Sequence, residues 1–421
     1  LWWYEWICER FGELPGAVWC VGQPEIWQIA CYYAGIFLLV FGRRYVEAWK
    51  RRGTYGEENV PGVIIHSNRF QHQIATVMIL GLLIGLLTGN FDRGSRVTFL
   101  DVGQGDGIVV ETGQGAYLFD CGSTSRKNIG EYVLKPYLKS RGICSLRGVF
   151  VSHPDEDHMN GVLELLENGE EWGITAEQLF LPAIRESERR ETFEQLLAAA
   201  EDAGIPVSYI KCGDEIRDSQ LRLLCLHPEE NTTLADANAY SECFYVEVFA
   251  KKMKQEAIDD RKANDASGGS AIGKISILLT GDVEGEGERQ LTQRLQELQE
   301  SRSLQESQSL QESRSLQESQ SLQTTRRLQE QRGQREFRVD ILKVAHHGSG
   351  YSTGTEFLAT ASPAIAIISC GRNNSYGHPH AETLQRLEDA RVPWYGTMDY
   401  GALTVNVDSH GNRLHGYLSG K

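Results

Sequence analysis

The sequence lacks several features that would place it in a common class at once. None of its nine cysteines forms a C-x-x-C pair, which excludes zinc ribbons and thioredoxin-like redox centres. Their odd number argues against a dense disulfide framework and favours buried or lone thiols. Leu1 is followed by tryptophans instead of a basic stretch and an apolar core. We therefore expect no signal peptide here and a numbering that begins inside a longer protein.

The chain also lacks a surplus of basic residues. Its formal charge is −15, and residues 1–93 contribute nothing to that value because their eight basic and eight acidic side chains balance. The acidic excess therefore lies in residues 94–421. Proteins that coat nucleic acid through bulk electrostatics need a positive surface, so this class is excluded. A carboxylate-rich site that holds cations remains compatible with the charge.

Two long uncharged runs lie in the N-terminal part, with seventeen residues at 26–42 and twenty-two at 70–91. At ~1.5 Å per residue, each can cross or nearly cross a ~30 Å hydrocarbon layer. We predict two transmembrane helices within residues 26–93, with two buried core helices as the alternative. Arg43 and Arg44 follow the first run directly, which places the connecting loop in the cytoplasm and residues 94–421 outside the cell. Residues 1–25 are predicted to lie in the membrane interface.

From residue 94 the pattern changes to short apolar runs separated by turn residues and helical stretches. The predicted strands are VTFLDV, GIVVET, AYLFD, GVFVS, LRLLCL, CFYVEVF, KISILLT, DILKVA, AIAIIS and ALTVNV. The predicted helices cover residues 128–140, 160–168, 188–203, 284–298, 354–361 and 381–390. Strands and helices mixed in this order predict a layered α/β or α+β domain.

Two stretches interrupt this domain. The segment from Lys251 to Lys274 is polar and separates two predicted strands, so we predict a long hairpin loop. Residues 298–332 repeat a hexapeptide with a leucine at every sixth position. Six residues advance about 600° on a helix, so these leucines fall on three stripes and form no coiled-coil seam. We predict a disordered or loosely helical insertion without catalytic residues.

The segment from Ser152 to His158 is the strongest chemical signal, and it follows the predicted strand GVFVS directly. Its candidate ligands are His153, Asp155, Asp157 and His158. Imidazole and carboxylate groups suit Zn²⁺, Mn²⁺ or iron, and adjacent ligands point to different sides and can serve two ions. An acidic turn with incidental histidines is the alternative for this segment alone.

Two further predicted strands end in residues of the same type. Asp282 follows ILLTG, and His346 and His347 follow LKVA. Three strand ends that each deliver ligand-type residues indicate a site at one edge of a sheet. Two cations bridged by a carboxylate can generate a hydroxide nucleophile at neutral pH. The same two cations can stabilise both the attacking and the leaving oxygen of a phosphoester displacement. The pattern therefore predicts a two-metal hydrolase site.

These motifs resemble a known family. His153-x-Asp155-x-Asp157-His158, LLTGD at 278–282, AHHGS at 345–349 and DVGQGD at 101–106 are similar to those of metallo-β-lactamase-fold hydrolases, specifically the C-terminal domain of ComEC-type competence proteins. The resemblance covers about residues 94–421 without the insertions, and the uncharged runs resemble the end of that family's channel domain. It implies a four-layer αββα sandwich, outward-facing, that degrades the DNA strand that is not imported.

The resemblance also implies roles for individual residues. It places one ion on His153 and Asp155 and the other on Asp157 and His158. The implied metal ligands are His153, Asp155, Asp157, His158, Asp282 as the bridge, and His346. Asp155 replaces the second histidine of the usual H-x-H-x-D-H pattern, which makes the first site harder and favours Mn²⁺ over Zn²⁺. We expect two divalent ions, Mn²⁺ or Zn²⁺, with Asp157 also acting in catalysis.

Other residues are candidates for supporting or substrate roles. Asp101 and Asp106 flank the glycines of the DVGQGD turn and are predicted to support ligands or contact substrate. His347 is predicted to orient the neighbouring ligand or to donate to a phosphate oxygen. His378 is the candidate proton donor to the leaving oxygen, with a structural role as the alternative.

Two more ligand-type residues are predicted to stay outside the metal set. Asp120 closes a predicted strand and is expected to give structural support. His227 is the only histidine between His158 and Asp282, and we predict a satisfied or solvent-facing side chain. The first metal site would then be poor in ligands.

The leading hypothesis is a multi-pass membrane protein of DNA uptake. Its extracellular domain would be a metal-dependent phosphodiesterase that acts on DNA, and its partners would be DNA, the membrane and other uptake proteins. Two alternatives stay open. The domain could be a gate or scaffold of the channel without turnover, or a small-molecule phosphoesterase of the same fold.

Overall fold

The structure is a computed structural model that describes residues 2–3, 6–7, 10, 21–53, 69–88, 94–184, 191–230, 238–250, 273–316, 339–408 and 411–418. The chain divides into two compact units. The first comprises Leu1–Asp92 and Tyr137–Ile143, and the second comprises Arg93–Pro136 and Cys144–Lys421.

The first unit contains two helices at the positions of the uncharged runs. Helix α1 spans Ile26–Gly53 and helix α2 spans Arg69–Thr88. They approach closely at Gly35, where an added Cβ would lie 2.6 Å from a methyl carbon of Leu83. Over the residues that the structure describes, no helix combines the length and the apolar character needed to cross a membrane. Most of the predicted interfacial segment and of the connecting loop lies outside the described residues.

The second unit is built from short strands and helices in mixed order. Its strands are β1 (Ser95–Phe99), β2 (Gly107–Thr112), β3 (Gly115–Cys121), β4 (Ser145–Phe150), β5 (Thr175–Ala176), β6 (Leu179–Pro182), β7 (Val207–Ile210), β8 (Glu215–Arg217), β9 (Leu221–His227), β10 (Cys243–Phe249), β11 (Lys274–Leu279), β12 (Ile341–Lys343), β13 (Ile365–Ile368), β14 (Trp394–Gly396), β15 (Leu403–Val407) and β16 (Arg413–Gly416). Helix α3 (Lys135–Arg141) begins in this unit and continues into the segment Tyr137–Ile143 of the first unit. The other helices of the second unit are α4 (Glu156–Trp172), α5 (Glu191–Asp202), α6 (Gly285–Leu316), α7 (Thr355–Ala361), α8 (Ala381–Asp389) and α9 (Thr397–Tyr400).

The strands form two sheets within the described residues. The nine-stranded sheet has the order β16-β15-β1-β2-β3-β4-β6-β7, with β5 beside β4. The seven-stranded sheet has the order β14-β13-β12-β11-β10-β9-β8. Strands β11 to β14 are parallel neighbours, so their carboxyl ends and the loops that follow them lie along one edge of the sheet.

The two sheets pack face to face through a core of alternating apolar side chains. Phe99, Phe119 and Phe150 from the first sheet lie in one buried cluster with Phe244 and Ile277 from the second. Successive side chains of a strand point to opposite faces, so the intervening residues face outward. The outward residues of the second sheet form another buried cluster with side chains of α6, α7 and α8, and α4 packs on β3. The result is a sandwich of helix, two sheets and helix.

This architecture confirms the predicted α/β sandwich. All ten predicted strands are present, as are the six predicted helices. The missed strands, such as β5, β8 and β14, have two to four residues, too few for a visible alternation. Helix α6 continues the predicted helix into the leucine repeat as far as Leu316. The rest of the repeat and residues 251–272 lie outside the described residues.

The cysteines of the described residues are all free thiols. Cys121, Cys225, Cys243 and Cys370 are buried, and burial raises the pKa of the Cys121 thiol well above its usual range. For the cysteines that the structure describes, this agrees with the prediction of buried or lone thiols.

Candidate metal centre

The site lies where strands of both sheets end. His153 follows β4, and Asp157 and His158 lie in the first turn of α4. Asp282 follows β11, and the His346-His347 pair follows β12 in a 3₁₀ turn at Ala345–Gly348. The folding of the sandwich therefore brings three distant sequence motifs together.

Four side chains form the centre of the site. Ligand atoms of Asp157, His158, Asp282 and His347 all lie within 4.8 Å of one another. His158 Nε2 lies 3.1 Å from Asp282 Oδ1, and His347 Nε2 lies 3.3 Å from Asp282 Oδ2 and 3.4 Å from Asp157 Oδ2. Asp282 thus stands between the two imidazoles, as expected for a bridging carboxylate. We call these four residues the metal cluster.

Both imidazoles of the metal cluster are oriented through their second nitrogen. His347 Nδ1 donates to the carbonyl oxygen of Ser369 at 2.8 Å, and His158 Nδ1 lies 3.0 Å from Asp120 Oδ2. An imidazole that donates from Nδ1 keeps the lone pair of Nε2 for a metal ion. Asp120 and Ser369 therefore fix the tautomer that a ligand histidine needs.

Two further histidines are oriented in the same way at the margin of the metal cluster. His346 Nδ1 lies 2.9 Å from Glu284 Oε2, which leaves Nε2 at 3.7 Å from an oxygen of Asp282. His153 Nδ1 lies 3.2 Å from Ser152 Oγ, and its Nε2 lies 3.8 Å from Asp155 Oδ2. The Nε2 distances of 3.7 and 3.8 Å are longer than the distances of 3.1, 3.3 and 3.4 Å within the metal cluster.

The residues fit a divalent metal ion. Nε2 of His158, Nε2 of His347 and Oδ1 of Asp282 are buried and form no hydrogen bond within the described part of the chain. Buried polar atoms are normally satisfied, so three such atoms converging on one point indicate a missing partner. Imidazole nitrogen with carboxylate oxygen is the ligand set of Zn²⁺ and Mn²⁺.

The electrostatics of the metal cluster are dominated by mutual charge stabilisation. Burial would lower the pKa of His158, but Asp282 and Asp120 outweigh it and raise that pKa well above its usual range. In the same way, Asp282 raises the pKa of His347 to about 9 against burial. The pKa of Asp282 lies well below its usual range because the two histidines outweigh burial. A bound metal ion would replace the imidazole protons.

The remaining predicted residues lie outside the metal cluster. Asp106 is buried, with Oδ2 at 3.8 Å from His158 Nδ1. Asp101 pairs with Arg126 at 3.2 Å, which fits a supporting role for the DVGQGD turn. His227 is buried and does not face solvent, with Nδ1 at 3.0 Å from the Ser241 carbonyl oxygen, while its Nε2 has no hydrogen-bond partner among the described residues.

His378 lies beside the His346 imidazole, with ring centroids 5.4 Å apart. The backbone N–H of Gly371 donates to Gln104 Oε1 at 3.3 Å, which identifies the oxygen end of the Gln104 side-chain amide. The Gln104 Nε2 group therefore donates to His378 Nδ1 at 3.3 Å. His378 therefore carries its proton on Nε2. Burial, followed by His347 and His346, lowers the pKa of His378 to about 4. A neutral imidazole with its proton on Nε2 can donate a hydrogen bond, and the role of His378 as proton donor to the leaving oxygen stays a prediction.

The sequence analysis missed several residues of the site. Glu284, Ser369 and Gln104 act through hydrogen bonds that connect distant segments, and no local pattern marks them. Lys343 carried a signal, because a charged residue interrupts an otherwise apolar strand directly before the histidine pair. Glu242 is also buried, and its carboxyl oxygens have no hydrogen-bond partner among the described residues.

Asp120→Asn is expected to weaken Mn²⁺ binding by about 10–100-fold, because loss of an outer partner of a metal ligand typically has this effect.

Asp340→Asn is a matched control. Each aspartate accepts hydrogen bonds from the backbone and hydroxyl of one serine, Ser152 for Asp120 and Ser276 for Asp340, but only Asp120 contacts a histidine of the metal cluster. Competition with a chromophoric chelator measures both affinities. Equal losses in the two variants would contradict the orienting role of Asp120.

Glu242→Gln is expected to make the protein more stable at neutral pH. Burial raises the pKa of Glu242 well above its usual range, so its carboxyl stays protonated in the folded state after the unfolded state has ionised. Stability therefore falls as the pH rises above about 4.5, towards the raised pKa. Urea unfolding between about pH 5 and 8 should show this decline in the wild type and a weaker one in the variant.

Glu247→Gln is the control with the opposite sign. Glu247 is also buried but pairs with Lys274 and Arg222, and these partners outweigh burial and lower its pKa. Its ionised form is therefore stabilising at neutral pH, and the variant should lose stability there. A decline with pH that is the same in wild type and Glu242→Gln would refute the assignment to Glu242.

The chain is similar to a known protein family and to solved structures. Residues 100–207 match the Metallo-beta-lactamase superfamily. Among solved structures, the chain is similar to the metallo-beta-lactamase fold protein YhfI from Bacillus subtilis, with 10% identity, a TM-score of 0.35, and coverage of 72% of this chain and 95% of that chain.

Two curated relatives are similar to the chain over most of its length. The chain is 28% identical to ComE operon protein 3 of Bacillus subtilis over 77% of this chain and 35% of that protein. It is 26% identical to Recombination protein 2 of Haemophilus influenzae over 89% of this chain and 38% of that protein. The chain thus spans about a third of the length of these relatives. Together with the superfamily match, they confirm the predicted resemblance to ComEC-type competence proteins.

Proposed function

We propose that this chain is the hydrolase part of a DNA-uptake protein and that its second unit cleaves phosphodiester bonds of DNA. The observation that carries the proposal is the metal cluster of Asp157, His158, Asp282 and His347, with both imidazoles held in the ligand tautomer. A scaffold without turnover would not need oriented imidazoles, and so this arrangement favours an enzyme over a gate.

Each residue of the site has a distinct task in this proposal. Asp282 and Asp157 would bind the divalent cation. The Nε2–H of His378 would donate a hydrogen bond to a phosphate or leaving-group oxygen. His346, held by Glu284 at 2.9 Å, is a further ligand at the open side. A bound divalent ion would lower the pKa of a water molecule and stabilise the charge of the attacked phosphate.

We further propose that the site takes two divalent ions, Mn²⁺ or Zn²⁺. The second ion would use His153 and Asp155, whose facing atoms are 3.8 Å apart, with Asp282 as the bridge. Two carboxylate ligands and one imidazole form a harder set than the usual histidine-rich one, which favours Mn²⁺ at this position. The ions would also attract phosphate despite the acidic charge of the chain.

We propose a cellular arrangement that the uncharged runs and the likeness to the relatives support. We propose that the uncharged runs at 26–42 and 70–91 cross the cell membrane, with the connecting loop in the cytoplasm because basic residues follow the first run. The hydrolase unit would then face the outside of the cell and degrade the DNA strand that is not imported. The names of two relatives, Recombination protein 2 and Competence protein ComA of Neisseria gonorrhoeae, support a role in DNA uptake.

The direct test is DNA cleavage by the purified full chain in detergent. We expect Mn²⁺-dependent degradation of DNA that stops when a chelator is added. A small phosphodiester substrate should compete weakly with DNA. Preferential hydrolysis of the small substrate would indicate a small-molecule phosphoesterase, and bound metal without any hydrolysis would indicate a gate or scaffold.

A further inference from the structure

A buried lysine lies directly beneath the metal cluster. Lys343 is the last residue of β12 and only 1% of its surface is exposed. Its ammonium group forms an ion pair with Asp106 Oδ2, donates to the Gly281 carbonyl oxygen at 3.0 Å, and lies 3.6 Å from Asp282 Oδ1. Lys343 therefore touches a residue of the metal cluster from the protein side.

The atoms around this ammonium group form an oxygen cage. Two carboxylates and one backbone carbonyl are a ligand set that hard divalent cations accept. The nearby nitrogen of His158 is not available to a cation there, because Nδ1 lies 3.0 Å from Asp120 and is used for that contact. The cage therefore offers only oxygen ligands to a cation. The Lys343 ammonium group already occupies it.

Charge explains why a cation is needed at this place. Asp106, Asp120 and Asp282 are all buried within a small volume. An unpaired buried carboxylate is strongly destabilising, and removal of one partner of a buried pair leaves such a charge behind. A lysine that is part of the chain supplies its charge before any metal ion binds, and so it would hold Asp106 and Asp282 in place in the metal-free protein.

We propose that Lys343 is a built-in cation of the metal centre, which occupies an oxygen cage formed by Asp106, Asp282 and the Gly281 carbonyl and thereby takes the place of an additional metal ion. It is a positioning residue, because its burial behind the ligands keeps it from the substrate. The inference rests on the metal centre of the proposed function, but its test does not use DNA cleavage.

The first measurement is the number of Mn²⁺ ions bound per full chain, determined by elemental analysis after removal of free metal. Lys343→Ala leaves an oxygen-lined space, and we expect it to bind an additional Mn²⁺ ion relative to the wild type. Lys274→Ala is the control, because Lys274 also pairs with a buried carboxylate, Glu247, but far along the strands from the site. An unchanged metal count in Lys343→Ala would overturn the proposal.

The second measurement covers the case in which the alanine variant does not fold. Lys343→Met fills most of the volume without the charge, and Asp106→Asn with Lys343→Met removes both charges of the pair. In the presence of EDTA we expect the single variant to unfold at a clearly lower temperature than the wild type and the double variant to recover much of that loss. A double variant no more stable than Lys343→Met would show that Lys343 acts by packing and not as a cation.

Failure of this proposal and failure of the proposed function give different results. If the second unit does not cleave DNA, the metal count and the unfolding temperatures still report on Lys343. If Lys343 is not a built-in cation, Mn²⁺-dependent cleavage by the wild type is unaffected.

Discussion

Asp282→Ala and His158→Ala are each expected to reduce Mn²⁺-dependent DNA cleavage more than about 100-fold, because even the loss of an outer partner of a metal ligand costs about 10–100-fold. Asp282 contacts both imidazoles of the metal cluster, at 3.1 and 3.3 Å. Its removal would leave His158 and His347 without the carboxylate between them. The rate of DNA degradation at saturating Mn²⁺, together with the bound metal per chain, measures the effect.

The matched control for this experiment is Asp399→Ala. Asp399 pairs with Arg372 at 3.8 Å, and half of its side chain is exposed, so its removal should leave cleavage and metal content unchanged. Each variant must also show the wild-type circular dichroism spectrum. Cleavage at the wild-type rate in both site variants would rule out this metal cluster as the catalytic centre.

Phe150→Ala is expected to destabilise the folded chain by about 3–5 kcal/mol, the usual cost of removing a buried aromatic side chain. Phe150 stacks between Phe119 and Phe180, with ring centroids 4.6 and 4.5 Å away, and meets the edge of Phe244 from the other sheet at 5.3 Å. The side chain therefore joins three strands of one sheet to the second sheet. Alanine would leave a cavity between the sheets that rigid strands cannot close.

Chemical unfolding followed by tryptophan fluorescence measures this loss as a shift of the denaturant midpoint. Tyr351→Ala serves as the control, because 86% of the Tyr351 surface is exposed and its removal should change stability by less than about 0.5 kcal/mol. A midpoint for Phe150→Ala that equals that of the control would mean that the packing between the sheets does not determine stability.

Much of the fold could be predicted from the sequence because its signal is local. CFYVEVF became β10 with the same bounds, Cys243–Phe249, since buried strands on both faces read as continuous apolar runs. Strands such as β14, with three residues, could not be predicted because so short a segment shows no alternation. Their extended conformation comes from pairing with a neighbour, which depends on the whole sheet.

The candidate site was predictable in its residue types but not in its contacts. The sequence placed Asp157, His158 and Asp282 at strand ends, and the structure brings them within contact of one another. It also predicted His346 as the ligand and His347 as its support. The geometry places His347 inside the metal cluster and His346 at its margin, and the ligand role of His346 stays a prediction.

The amino-acid sequence by itself determined the α/β layering and the set of strand ends that carry ligand-type side chains, because alternation and turn residues act over a few positions. Only the tertiary structure decided which imidazole faces the cluster. His346 and His347 adopt φ values of 50° and 53°, in the left-handed region that such residues adopt only when the surroundings hold them there. The hydrogen bond of His347 to Ser369 and the burial of Lys343 depend on strands far apart in sequence, so no local pattern could reveal them.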